Sequence, residues 1–499
     1  MADYDRRNGG GRGGYNNRKR RYRDDDDYDR RPQRRRYEDP AHIKVRKLLL
    51  GIAESPVNKT EDEISSIAKI VVDGYGDEQL RTTFVELTVQ LVVEQPLKIP
   101  FVAAIVLILN PQKPELAEEV LTEAGRLIRD YLEAGQWREV KLVLRFLGCL
   151  QGLLEGDGVF TILEELFSRA ADLQTASSED SLGLELVKII LMTIPYILAS
   201  SATGFEEHAS ALLEKTDIIA STPHPLVTLV DPYPGWGDEE VKEPQSAIGL
   251  LQKQLQAEST SGWYLRCLPR PWKLGADADD TKESAAAVKH TLPLVSVPSP
   301  VSPGPRPRLP EIYFSVYADQ DFETVPSVED VASSILRDSL VDTINVLDFN
   351  RNATAKFLIE LDCYFAPNLF VKRATPFDRL KDVAADSTTW KPEDVAVDAV
   401  FSQLLQLPNP EHKLVYYHSV LIEACKIAPA AIAPSLGRAI RYLYRNLDAM
   451  DGDLVHKFMD WFSHHLSNFG FTWKWTEWYV FKTVLLKQAD PEAGWTTLT

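Results

Sequence analysis

From about His42 onward, apolar residues recur at helical spacing in one segment after another. Val120, Leu121, Ala124, Leu127, Ile128, Tyr131 and Leu132 fall at i, i+1, i+4, i+7, i+8, i+11 and i+12, which is one stripe along a helix. Leu142, Val143, Phe146, Leu147, Leu150, Leu153 and Leu154 make a second stripe. Between them stands only "EAGQW", in which Gly135 can take the left-handed backbone that closes a helix, so the two segments predict an antiparallel hairpin. Further helices are expected over residues 61–73, 77–94, 157–173 and 181–200, each bounded by Pro, Gly or Asp-Gly punctuation. Near the other end, Leu436, Ala439, Ile440, Leu443, Tyr444 and Leu447 form another stripe, followed by a turn at "DGD", residues 451–453. No stretch alternates with the period of a strand. A hairpin that exposes an apolar face must bury it against its neighbour, so the pattern predicts an all-α chain: an α-solenoid of helix hairpins of the HEAT or armadillo kind, with degenerate repeats.

The helical text breaks between residues 274 and 310, first into acidic residues and serines and then into a proline-dense run. Proline removes backbone donors and disfavours the helical region for the residue before it, so this segment is expected to be an extended linker or surface loop. A chain of 499 residues suits two domains. The expected organisation is a tail over 1–39, helical-repeat domains over 40–273 and 311–488, the linker between them, and a divergent end over 489–499.

Charge divides the chain further. Residues 1–37 hold 13 Lys/Arg against 7 Asp/Glu, whereas the remainder holds 42 against 66. The first segment is a low-complexity mixture of Gly, Asn, Arg and Asp, which cannot bury enough apolar surface to fold. Within it, Arg18, Lys19, Arg20 and Arg21 form one basic cluster and Arg34, Arg35 and Arg36 lie in a second, a spacing that suggests a two-part nuclear import signal read by an import adaptor. The start of the chain has no apolar core of a secretory signal, and the runs at 99–109 and 189–198 are too short to cross a bilayer, so an intracellular protein without a membrane partner is expected. The cysteines, Cys149, Cys267, Cys363 and Cys425, lack the spacing of a zinc site or disulfide frame.

No nucleotide-binding, hydrolase or metalloprotease motif is present, so an enzyme is not expected, nor a cofactor. His456, Asp460 and His464 share a helix face at i, i+4 and i+8, but the same helix is strongly apolar, which favours structural histidines over metal ligands. Sharper is the aromatic stretch "MDWFSHHLSNFGFTWKWTEW", residues 459–478, where Trp461, Phe462, Phe469, Trp473, Trp475 and Trp478 surround His464 and His465. Such a cluster serves either as a stacking platform for a base or as the packing of a junction between helices.

The segment from residue 404 to 478, and "FMDWFSHHLSNFGFTWKWTEW" above all, resembles the large subunit of the nuclear cap-binding complex. Weaker resemblance runs through "LPEIYFSVY", "KLLLGIAESP" and "REVKLVLRFLGCL". The resemblance implies helical-repeat domains related to the middle domain of the translation-initiation scaffold. It implies a heterodimer whose small subunit, with an RNA-recognition fold, stacks the 7-methylguanosine cap of mRNA between its own aromatics. The large subunit then orders the cap-binding loops of its partner and recruits factors for splicing, export, 3′-end processing and nonsense-mediated decay, in the nucleus and with shuttling to the cytoplasm. On this reading the aromatics of 459–478 pack the scaffold. The family continues after this motif into a third helical domain, so the resemblance also implies that this chain stops short of it. Two rival readings are direct RNA binding through the Arg/Gly tail and another kind of nuclear adaptor solenoid.

Overall fold

A computed structural model describes residues 39–234, 244–273, 288–318, 320–384 and 387–478. The basic tail with Arg18, Lys19, Arg20, Arg21, Arg34, Arg35 and Arg36, the acidic half of the 274–310 segment and the 489–499 end lie outside the described residues. The described residues from Ala41 onward belong to one compact unit. Among the described residues the regular structure is helical, with no strand and only isolated bridges, Leu154 to His290 and Ser246 to Ile312.

The first helices are α1 (Ala41–Gly51), α2 (Thr60–Asp73), α3 (Glu78–Glu94), α4 (Ile99–Leu109), α5 (Pro114–Ala134), α6 (Trp137–Cys149), α7 (Val159–Ala176), α8 (Ser181–Ala199), α9 (Glu206–Ser221) and α10 (Ala247–Ser261). Local chemistry sets their limits. Asp77 caps α3 by accepting from the Gln79 and Leu80 N–H groups, Asp180 caps α8 through the Gly183 N–H, and Gly135 ends α5 at φ 67. The second stripe of the sequence outlasts its helix: α6 stops at Cys149, and Leu153 lies in a short 3-10 turn. Packing runs α3 on α5, α4 on α6 and α6 on α8, the alternation of stacked hairpins. Two helices are apolar on all sides and become the inner layer. In α4, only Leu107 and Ile108 are less than fully buried. In α8, length and composition would suffice to cross a bilayer, but most of its surface is covered by α6, α7, α9 and α10.

The second set comprises α11 (Val331–Val346), α12 (Arg351–Ile359), α13 (Pro392–Leu404), α14 (Leu414–Ile427), α15 (Pro429–Arg445) and α16 (Gly452–Asn468). Here too α11 meets α13, α13 meets α15, α12 meets α14 and α14 meets α16. Cys149, Cys267 and Cys425 are buried free thiols, and Cys363 is a partly buried one.

The proline-dense segment is extended and without helix, as its prolines require, but it does not hang between the two sets. It lies as a strap across α5 to α8. Trp137 Nε1 donates to the Ser302 carbonyl at 3.0 Å, Arg129 to the Leu294 carbonyl at 3.2 Å and Ser181 Oγ to the Arg308 carbonyl at 2.9 Å. The Val297 N–H donates to Glu165 at 2.8 Å, while Val295 and Val297 are buried. Prolines cannot donate, so the strap is held chiefly through its carbonyls and a few valines. Gly304 crosses the α5–α6 turn so closely that a Cβ there would run into the Gly135 carbonyl oxygen. Gly135 therefore serves both the turn and the crossing.

Candidate functional site: the aromatic end and the ionic joint

The aromatic stretch starts inside α16 and runs past its end, and burial sorts its members. Trp461 is fully buried, with its ring edge-on to Phe401 of α13 at 4.8 Å. Phe462 is buried, stacks on Phe458 at 5.8 Å and meets Trp473 at 5.6 Å and Trp478 at 5.0 Å. Phe469 follows the last turn, and Gly470 and Phe471 take left-handed backbone, φ 63 and 57, which reverses the chain and brings Trp473 and Trp478 back over the helix. His465 stacks on Trp461 at 5.3 Å and faces Phe469 at 4.7 Å; His464 lies 5.3 Å from His418 of α14. Trp475 departs from the rest: it is 48% exposed, with Phe471 at 63% and Met459 at 57% nearby in the chain.

A base sandwich needs two parallel rings separated by the thickness of a third. Trp473 and Trp475 meet Trp478 at 66° and 85°, and the parallel pair Tyr444 and Trp478 is already closed at 4.0 Å. These rings fill one another's space. His456 Nδ1 is spent on the Gly452 carbonyl of its own helix at 2.7 Å, and no group of three metal-ligating side chains occurs among the described residues.

Several polar atoms in this cluster are buried without a hydrogen-bond partner among the described residues: Trp461 Nε1, Trp473 Nε1, His464 Nδ1, His465 Nδ1 and His418 Nε2. Burial depresses the His418 imidazole to about 4, and burial together with the neighbouring His464 charge does the same to His465. Both rings are therefore neutral at neutral pH. Because the folded-state values lie below the unfolded value of about 6.5, stability is full above that pH and declines as pH falls from 6.5 towards 4. We expect the thermal midpoint of the chain to fall over that window. His418→Gln with His465→Gln should flatten the slope, and an unchanged slope would place the acid sensitivity elsewhere.

A second assembly joins the two helix sets. Arg138, Lys141 and Arg145 lie on one face of α6, and Asp338 and Asp342 oppose them from α11. Lys141 Nζ reaches Asp338 at 2.7 Å and Asp342 at 2.9 Å, and Arg145 bonds Asp338 and lies 3.4 Å from Asp342. Arg138 contacts Asp342 at 3.2 Å and donates to Glu411 at 2.8 Å; Lys188 of α8 holds Glu311 at 2.6 Å and lies 3.6 Å from Asp338. Lys141, Arg145, Asp338 and Asp342 are all buried. Burial opposes the charge on Asp338, but Lys141, Arg145 and Lys188 overcome it and hold the carboxyl well below its ordinary range. A further link joins the start of the chain to α12: Lys98 is fully buried, donates to the Leu50 carbonyl at 2.6 Å and to Glu54 at 2.8 Å, and Glu54 also takes Lys356 at 2.9 Å. Sequence reasoning passed over this joint. Its signal was cations at i, i+3 and i+7 on α6, residues 138, 141 and 145, in a helix otherwise rich in leucine, valine and phenylalanine.

Comparison with known proteins adds the following. Residues 326–497 match the MIF4G-like family. The chain is 31% identical over 462 residues to nuclear cap-binding protein subunit 1 of Schizosaccharomyces pombe, an alignment covering 90% of this chain and 57% of that protein. It is 26% identical over 461 residues to nuclear cap-binding protein complex subunit 1 of Saccharomyces cerevisiae, covering 86% of this chain and 53% of the relative. The chain thus spans somewhat over half the length of these curated relatives.

Proposed function

We propose that the chain belongs with the nuclear cap-binding protein subunit 1 family, to one member of which it is 31% identical over 90% of its length, and that it is a scaffold of a nuclear cap-binding complex. It supports recognition of the 7-methylguanosine cap by a small subunit with an RNA-recognition fold, and it presents a platform to mRNA-processing factors. The observation that carries this reading is the similarity to a cap-binding subunit over 90% of the chain, an extent that takes in parts of both helix sets.

The mechanism is mechanical. A recognition loop that must order itself when it binds loses affinity in proportion to how seldom it occupies the competent state, and a partner that holds it there removes that loss without touching the ligand. A scaffold able to do so must itself be rigid. The buried ionic joint between α6 and α11 and the docked strap supply that rigidity. The acidic balance outside the tail, 66 Asp/Glu against 42 Lys/Arg, disfavours direct contact with phosphate and favours basic protein partners. The direct test is association: sedimentation of the chain with a small RNA-recognition subunit should give one heterodimeric species, and independent sedimentation would count against the reading.

Location follows from the tail. Replacing Arg34, Arg35 and Arg36 together with alanine is expected to shift a fluorescent fusion from nucleus to cytoplasm. Unchanged nuclear accumulation would remove the import role from these residues.

A further inference from the structure

A cleft of about 380 Å³ opens on the second helix set, away from the aromatic end. Its walls are Ile359 at the end of α12, Ile427 at the end of α14, Ile432 and Ala430 in the first turn of α15, and Arg373 from the preceding loop, with Glu393 of α13 among them. Glu393 is 4% exposed, and its two carboxylate oxygens differ. Oε1 takes Lys391 Nζ at 2.6 Å and the Ala374 N–H at 3.2 Å. Oε2 is buried without a hydrogen-bond partner among the described residues. Arg373, on the same wall, donates Nε to Asp362 at 2.7 Å and Nη2 to Cys363 Sγ at 3.3 Å, so its charge is already balanced by Asp362.

A buried carboxylate oxygen without a partner is expensive, and the cheapest completion is a donor brought from outside. The rim selects which kind. Ile427, 53% exposed, and the other isoleucines offer carbon surface beside the acid, the match for a long aliphatic stem that ends in a charged donor. The acidic excess of the chain outside its tail draws cations and repels anions. We propose that this cleft is a docking pocket for a basic side chain, arginine or lysine, presented by an extended peptide of a partner protein, with the stem on Ile359, Ile427 and Ile432 and the head on Glu393 Oε2. The pocket needs neither the small subunit nor capped RNA, so it stands or falls apart from the cap-binding reading.

The test is saturation-transfer NMR on the full chain with Nα-acetyl-arginine amide, Nα-acetyl-lysine amide, Nα-acetyl-norleucine amide and Nα-acetyl-glutamate amide. Two variants separate the terms. Glu393→Gln keeps an oxygen for Lys391 and Ala374 but turns a donor into the cleft; Ala430→Phe leaves the ion pairs alone and fills the mouth. Binding of the arginine or lysine probe is expected, weakened roughly tenfold by Glu393→Gln and abolished by Ala430→Phe, with norleucine weak and unchanged by Glu393→Gln. Norleucine binding as well as arginine, glutamate binding better, no binding of either basic probe, or basic probes indifferent to Ala430→Phe would each overturn the proposal. Should Glu393→Gln melt early, the Ala430→Phe comparison with the norleucine control decides it alone.

Discussion

Asp338→Ala is expected to cost on the order of 3–5 kcal/mol of folding stability, because it leaves two buried cations, Lys141 and Arg145, to share the single carboxylate of Asp342. Desolvating these cations is tolerable only while their partners are present. The loss should therefore greatly exceed that of a surface ion pair such as Lys215 with Glu164, which contributes about 0–1 kcal/mol. Denaturant unfolding of the full chain measures it. The compensated variant Asp338→Leu, Asp342→Leu, Lys141→Met, Arg145→Met removes the buried charges of both helices, leaves Arg138 on Glu411 and Lys188 on Glu311, and should recover most of the loss. If Asp338→Ala unfolded like the parent, Asp342 alone would suffice for both cations, and the stabilising role given to Asp338 would be contradicted.

Trp461→Ala is the second large effect, about 3–5 kcal/mol, from the lost transfer of a fully buried indole and the cavity left against Phe401 and His465. The neighbouring Trp475→Ala should change stability by no more than about 0.5 kcal/mol, since half of that ring already faces solvent. The contrast between two tryptophans of one motif is the test. Equal losses would mean that Trp475 is covered in solution, and a small loss at Trp461 would contradict the packing described for α13 and α16.

Much of this architecture could be read from apolar spacing alone. The α5–α6 hairpin and its closing Gly135, the helices at 61–73 and 77–94, and the stripe that became α15 follow from periodicity and capping, because an amphipathic helix leaves a pattern with a period that chemistry fixes. What spacing could not reveal lies in contacts between residues far apart in sequence. Proline density implied an extended segment, but whether its described part hangs free or docks depends on carbonyls meeting Trp137, Arg129 and Ser181, more than a hundred residues away. The apolar run at 189–198 is too short to span a bilayer, but α8 as a whole is long enough, and its contacts with α6, α7, α9 and α10 place it in the core. In the aromatic stretch the residue types were plain, but not that Trp461 would be buried while Trp475 stayed half exposed, since that division depends on the reversal at Gly470 and Phe471. The partly satisfied Glu393 had no signature in sequence, because an acid in the first turn of a helix is ordinarily a surface residue.

The proposed role of this chain is to raise the cap affinity of a partner without gripping the cap itself. The measurement that tests it is fluorescence anisotropy of a capped oligonucleotide with the chain alone, a small RNA-recognition subunit alone and their mixture, against an uncapped control. The chain alone is expected to give weak, cap-independent signals and the small subunit modest binding, with tight binding that requires the cap in the mixture alone. A mixture no tighter than the small subunit alone, or cap-dependent binding by the chain by itself, would contradict it.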